Sequence, residues 1–469
     1  MAGSCLVSLV SVVDVLLHVM ADVSMWKQAM QKVAPFVVER LDYEPTNLNF
    51  GGADTKFEVG KSGDLLWRCA LQMAFPGFKG AQGYTAVPDA NVDNVNIADS
   101  ATLTAAQKEI LVAYPATSVA GQYTRAKAMR PYYMAGAPLA IIEQLEVRIN
   151  QHTFDRQTGL SMDIEYEYSG SKQRGLGKNI NKLDSVEELQ DASEHGFRAM
   201  VYTRFWFNLA SQNAYPLVCH GSIQFILQAR FKGLAQVIKY PFGKAAFTGH
   251  GGALDVQQLQ TTMKDGGVQL ITYQVFLHNA ERSVFWDNAQ DYVFQQTQRV
   301  IQDSKVPAGA ASFEQQLNMV GPIRALYWCF TKESLSNSAS LDTISGYSYG
   351  GNESFATFQL LVNGSQYNDE LAAEVFRGGE AEAFHRNRPD ARYYALFFAL
   401  HYDDFFNTTG SNAISRAETV KARFKWSGTV VNPNSKQQLN EDAYLQLYAI
   451  NLNVMRVKRG AIGTKLSVV

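Results

Sequence analysis

Leu145-Glu146-Val147-Arg148-Ile149, a break at Asn150-Gln151 and a return through Phe154 to Asp155 form the phrase that decides the fold, because the chain writes it twice. About two hundred residues later Leu361-Val362 breaks at Asn363-Gly364 and resumes through Tyr367 to Asn368. Apolar and charged side chains alternating with period two mark a strand with one buried face. Asn-Gly is the strongest short hairpin signal, since both positions tolerate positive φ. The separation exceeds the ~20–50-residue units of solenoids and propellers, so the repeat predicts two related β-domains in one polypeptide.

The 469 residues fit two or three domains at ~100–200 residues each. Formal charge is −2, and the densest basic group, Arg456, Lys458 and Arg459, is a short C-terminal cluster rather than a stripe that would recruit nucleic acid. Charged residues make up 18% of the chain, against a usual ~25%. Strands account for the abundant Phe and Tyr, and buried contacts between subunits account for the missing charge. Cys5, Cys69, Cys219 and Cys329 form no CxxC pair. That spacing predicts free, mostly buried thiols and assembly in a reducing compartment, with no zinc site or disulfide framework. Sequons at Asn352, Asn363 and Asn407 matter only in a secretory pathway and are common enough to arise by chance. The apolar run Cys5 to Met20 has no Lys or Arg before it, is interrupted by Asp14 and His18, and falls short of the ~20 residues of a membrane helix. It reads as a buried N-terminal arm.

Strand-like runs follow at Phe36 to Leu41, Phe57 to Val59 and Leu65 to Met73, the last after a turn at Gly63-Asp64. From Ala74 to Pro138 the chain is rich in Gly, Ala, Asn and Pro, a surface insertion in which Thr104-Ala105-Ala106-Gln107 opens a short helix. Beyond the first hairpin phrase, Met162 to Tyr168 alternates again and reads as a strand. A second insertion, near 170–198, holds a helix that Ser185 caps and Gly196 stops. Strands return at Val201 to Leu209, Ile223 to Ala229 and Val268 to Leu277, and Phe285 to Tyr292 reads as a domain junction. In the second half Ile323 to Phe330, Phe355 to Val362, Tyr393 to Leu400, Val420 to Trp426 and Tyr444 to Val457 read as strands. One helix between Asn368 and Arg377 is ended by Gly378-Gly379. Many short strands with few helices predict an all-β protein built of sandwiches.

No motif carries chemistry. Gly346-Tyr347-Ser348-Tyr349-Gly350 has the spacing of a nucleophile elbow, but Gly351-Asn352-Glu353-Ser354 follows where a helix must begin, so it reads as a glycine-rich loop. Gly170 to Lys178 lacks the lysine and hydroxyl of a phosphate loop, and Gly249-His250-Gly251-Gly252 lacks the strand-to-helix context of a dinucleotide site. His401, Asp403 and Asp404 are the best metal candidate, yet no second histidine lies at helical spacing. The expectation is a non-enzyme with no catalytic, cofactor or metal residues.

Eight phrases, in order along the chain, resemble the double jelly-roll major capsid proteins of nucleocytoplasmic large DNA viruses. They are Met1-Ala2-Gly3 with Leu9-Val10 and Asp14-Val15; Trp26-Lys27 through Phe36 and Glu39; Lys61-Ser62-Gly63-Asp64-Leu65-Leu66; and the hairpin Leu145 to Asp155. Then come Pro216-Leu217-Val218 with Ile223; Phe276-Leu277 through Glu281-Arg282 and Phe285; Asn363-Gly364; and Tyr448-Ala449, Asn451, Asn453-Val454-Met455-Arg456 and Gly460. The resemblance implies two consecutive eight-stranded jelly rolls, with an arm at 1–25, the first roll at 26–286 and the second at 287–469. It implies a homotrimeric, pseudo-hexagonal capsomer of an icosahedral virion shell that contacts neighbouring capsomers. Minor capsid proteins would lie beneath the shell, reached through the arm, with an inner viral membrane nearby and no direct nucleic acid. A minor capsid paralogue of the same fold and a glycan- or receptor-binding jelly-roll protein are the alternative readings.

Overall fold

The computed structural model describes residues 36–87, 129–331, 353–426 and 442–464, apart from 151, 170–175, 184, 222–223, 250, 385, 401, 403–409 and 459–460. The N-terminal arm with Cys5, the Thr104 helix, the Ser348 loop, the His401, Asp403 and Asp404 group, and the sequons at Asn352 and Asn407 lie outside the described residues.

Two sandwiches follow one another. The first is built from β1 (Phe36–Tyr43), β2 (Asp54–Val59), β3 (Leu65–Pro76), β4 (Ile142–Ile149), β5 (His152–Gln157), β6 (Gly196–Tyr202), β7 (Phe225–Phe231) and β8 (Val268–Leu277). These form antiparallel sheets in the orders β1-β8-β3-β6 and β2-β7-β4-β5. The second comprises β9 (Gln290–Val306), β10 (Ser312–Gln316), β11 (Ile323–Thr331), β12 (Thr357–Val362), β13 (Ser365–Gln366), β14 (Tyr393–Phe397), β15 (Val420–Lys425) and β16 (Ala443–Lys458). Its sheets run β9-β16-β11-β14 and β10-β15-β12-β13. Adding eight to each label of the first sandwich gives the second, so both are jelly rolls of one topology. The repeated sequence phrase is the fourth-to-fifth strand hairpin of each roll, β4–β5 and β12–β13. Its turns need left-handed backbone: φ is 49° at Asn150, 51° at Asn363 and 79° at Gly364.

Four readings need correction. Met162 to Tyr168 is not a strand but part of helix α1 (Gly159–Tyr168). Thr158 and Ser161 form a capping box at its start, and its alternating carboxylates, Asp163 and Glu167 buried and Glu165 largely so, lie against the hydroxyls and cations of other elements. The run from Val201 ends as a strand at Tyr202, because Trp206–Leu209 is a helical turn whose Trp206 and Phe207 are buried. Strand β14 stops at Phe397, short of Leu400. Gly378-Gly379 does not end a helix: both lie within a π-helical turn, Val375–Gly379, that runs on to Ala383, anchored by buried Phe376 and by Arg377 paired to Glu353. Sequence reading also passed over β9 and β10. Helix α2 (Val186–His195) is capped by Ser185 and stopped by Gly196 at φ 79°, as its sequence predicts. Two further helices, α3 (Val256–Lys264) and α4 (Asn279–Asp287), lie either side of β8. No described helix is long and apolar enough to cross a membrane.

Each sandwich fills its own core. Phe57, Leu66, Leu71, Leu145, Leu227 and Leu270 are among the buried residues of the first. In the second, Trp328 stacks on Phe358 at 4.5 Å between ring centroids, against Phe376, Tyr394 and Phe424. Replacing Trp328 with alanine is expected to cost about 3–5 kcal/mol of stability, read as a lowered urea midpoint with unchanged slope.

Candidate functional site

The feature that organises the molecule is the seam between the two sandwiches. All nine residues of β11 are buried, because the strand has a core on each side. Leu326, Trp328 and Phe330 point into the second core, whereas Ala325, Tyr327 and Cys329 join the cluster of the first. The same division separates Tyr394 and Leu396 from Tyr393, Ala395 and Phe397 on β14, and Leu447 and Ala449 from Tyr448 and Ile450 on β16. Period-two geometry thus lets one sheet serve two interiors.

Helix α1 of the first sandwich is the wedge in that seam. Its Gly159 lies so close to the preceding segment that a Cβ there would sit 1.9 Å from the Leu139 carbonyl oxygen. Thr158 at its cap donates a hydrogen bond to the Tyr448 hydroxyl at 2.9 Å. Tyr168 at its far end donates to the Tyr393 carbonyl at 3.1 Å, and its own carbonyl accepts from the Asn387 amide at 3.1 Å. Three carboxylates on the helix are met in turn. Glu165 accepts from the Tyr402 hydroxyl at 2.6 Å and pairs with the Arg386 guanidinium at 3.3 Å. Asp163 accepts from the Tyr393 hydroxyl at 2.5 Å and pairs with the Lys182 ammonium, which also binds Glu167 at 2.6 Å. Arg386 and Arg324 both lie over the Tyr402 ring, at 4.7 and 5.4 Å.

A second tie joins sheet edges. Strand β5 ends the sheet β2-β7-β4-β5 and β9 ends β9-β16-β11-β14, and the two are linked through side chains rather than by a ladder. The Thr297 amide donates to Asp155 Oδ1 at 2.9 Å, and Gln296 Nε2 donates to the Phe154 carbonyl while its Oε1 accepts from Asn453 Nδ2 at 3.0 Å. Burial pushes the Asp155 carboxyl up to about 7 against the hydrogen bonds from Thr297, Arg156 and Gln157. Beside it lies a cleft of about 550 Å³ with Arg156, Arg299 and Glu418 in its walls.

Several residues of the sequence motifs prove to be structural ties. Asp64, from the Gly63-Asp64 turn, pairs with Arg282 of α4 at 3.0 Å and accepts from the Leu277 amide at 2.8 Å. Arg456 makes a double hydrogen bond to Asp291. The candidate chemical sites are not assembled among the described residues. Gly251 and Gly252 follow a short helix, Lys244–Gly249, rather than a strand, and Leu176–Ile180 is a 3-10 turn. Asn363 uses its side-chain oxygen to accept from the Thr419 amide. Cys69, Cys219 and Cys329 are free and buried. Burial raises all three thiols, Cys69 to about 12 and Cys219 to about 11, which leaves them without nucleophilic thiolate. No described group of His, Cys, Asp and Glu could hold a metal ion. Sequence reading missed the seam, although its signal was present: continuous apolar runs at Ala325 to Phe330 and Tyr393 to Phe397, where a half-exposed strand would alternate.

Residues 281–463 match the family model described as large eukaryotic DNA virus major capsid protein. Among solved structures, VP54 of the virus PBCV-1 is 15% identical with a TM-score of 0.65, over 93% of this chain and 98% of that one. The Faustovirus major capsid protein is 10% identical with a TM-score of 0.62, over 96% and 94%. A chain of the Sputnik virophage, also 10% identical, gives 0.52 over 96% and 93%. At these identities the likeness is one of fold. No curated protein sequence matches the chain.

Two outcomes follow from the seam. Arg386→Met leaves the largely buried Glu165 without its cation and should cost about 2–3 kcal/mol in urea unfolding, while Glu165→Leu combined with Arg386→Met should cost less than the two single changes summed. Asp155, whose carboxyl titrates higher in the folded than in the unfolded chain, holds a proton in the fold that the unfolded chain releases. Its contribution is therefore full below the unfolded value near 3.8 and lost as pH rises through about 7. Between about pH 5 and about pH 8 the melting temperature of the wild type should fall more steeply than that of Asp155→Asn, and parallel profiles would count against this assignment.

Proposed function

We propose that this chain, a structural capsid protein of the large eukaryotic DNA virus family, closes as a homotrimer whose six sandwiches make a pseudo-hexagonal capsomer of an icosahedral shell. The first sandwich is taken as residues 26–286 and the second as 287–469. The observation that carries the reading is the pairing of two sandwiches of identical strand order in one chain, so that a threefold axis turns three chains into six nearly equivalent lobes. Edge strand β1 supports it. Among the described residues it pairs only with β8 and leaves Phe36, Val37 and Val38 exposed at 53%, 58% and 38%, an apolar stretch of edge suited to another subunit. Shell neighbours would be other capsomers and, beneath them, minor capsid proteins reached by the N-terminal arm, with an inner membrane close by. The net charge of −2 favours dense packing of copies over direct contact with nucleic acid.

Light scattering of the purified protein at micromolar concentration should give three times the chain mass, and single particles should show six lobes about a threefold axis. A stable monomer would overturn the proposal. Val37→Asp together with Val38→Asp should shift the population towards monomer while leaving the circular dichroism spectrum unchanged.

A further inference from the structure

One constellation of the seam, besides its part in packing, has the geometry of a reactive group. Lys182, Asp163 and Glu167 are buried together, with side chains 9%, 1% and 7% exposed. Asp163 and Glu167 stand one helical turn apart on α1, and the Lys182 ammonium touches a carboxylate oxygen of each. The Tyr166 ring lies 4.9 Å from that ammonium. The Tyr393 hydroxyl donates to Asp163 Oδ2 at 2.5 Å, and the Asp390 amide donates to Glu167 Oε2 at 3.2 Å. Asp163 Oδ1, the oxygen facing Lys182, has no hydrogen bond of good geometry.

We propose that Lys182 and Asp163 condense into an intramolecular amide, with Glu167 relaying protons and Tyr393 holding the carbonyl oxygen. The C–N bond between Lys182 Nζ and Asp163 Cγ forms and the Cγ–Oδ1 bond breaks. Two of the three ammonium protons pass through Glu167 to Oδ1, which leaves as water. An ammonium and a carboxylate become a neutral amide, so charge balances without oxidant or co-reactant. The groups that acyl transfer needs stand together: an amine against the Asp163 carboxyl group, a carboxylate that can act as general base touching the amine, and a hydroxyl donor on the other carboxyl oxygen.

Burial supplies the driving force. In water the separated ions are strongly solvated and condensation is unfavourable. In the seam that solvation is already lost, and a neutral amide removes two charges that the low-dielectric surroundings penalise. Burial raises the Asp163 carboxyl towards its neutral, electrophilic form. For Lys182, burial works against the charge, but Asp163 and Glu167 together outweigh it, so the resting state is an ion pair and the reaction begins with proton transfer to Glu167. The product would clamp the segment after the Leu176–Ile180 turn onto α1, beside its contact with β14.

The test is the intact mass of the denatured full chain, compared with Lys182→Arg and Glu167→Gln, followed by tryptic mapping. The wild type is expected to be lighter by one water than its sequence, to resist cleavage after Lys182 and to yield a branched peptide containing Asp163, while both variants have their full sequence masses. A wild type of full mass that trypsin cleaves after Lys182, or a water deficit that persists in Lys182→Arg, would overturn the proposal. Lys182→Arg keeps the positive charge, and the wild-type mass decides the question even if either variant folds poorly.

Discussion

Holding three carboxylates of one helix between two β-sandwiches, Asp163 and Glu167 buried and Glu165 largely so, is the constraint on which the rest of the structure depends. Removing such groups from water costs several kcal/mol each unless cations and donors meet them in good geometry. The second sandwich supplies Arg386, Tyr393 and Tyr402, and the segment after the Leu176–Ile180 turn supplies Lys182. Since these partners come from different parts of the chain, the helix is satisfied in one arrangement of the sandwiches. A purely apolar seam would tolerate sliding, whereas hydrogen-bonded charge specifies register.

The same logic governs the sheet edges. An open strand edge invites pairing with any other chain. Strands β5 and β9 avoid this by engaging each other through Asp155, Gln296 and Asn453, which bond to backbone or to one another without continuing a ladder. Among the described residues, edge strand β1 has no partner on its outer side and exposes Phe36, Val37 and Val38 next to the charged Glu39, Arg40 and Asp42. A subunit that closes its internal edges and keeps an outer one suits repeated assembly, and that outer edge lies on the first sandwich's own sheet, away from the seam.

The hairpin phrases were legible because a two-residue turn and period-two alternation are local properties. Leu145 to Asp155 and Leu361 to Asn368 accordingly fall on matching strands of both rolls. Helix α1 was illegible for the opposite reason. Asp163, Glu165 and Glu167 look like the wet face of a strand until their distant partners are known, and Arg386 and Tyr402 lie more than two hundred residues away. Strand β9 escaped because Gln295, Gln296, Thr297, Gln298 and Arg299 give no apolar period, and two irregularities in register, near Ile301, break what remains. The candidate site was visible only as continuous hydrophobicity in β11 and β14, a pattern that says both faces are covered but not by what.

Native-state hydrogen exchange followed by mass spectrometry tests most directly the claim that the charged wedge makes the two sandwiches one mechanical unit. The account predicts that amides of α1, β4, β11 and β14 exchange through a single cooperative opening with a common free energy. Two separate openings, with the first sandwich exchanging while β11 and β14 remain protected, would contradict it.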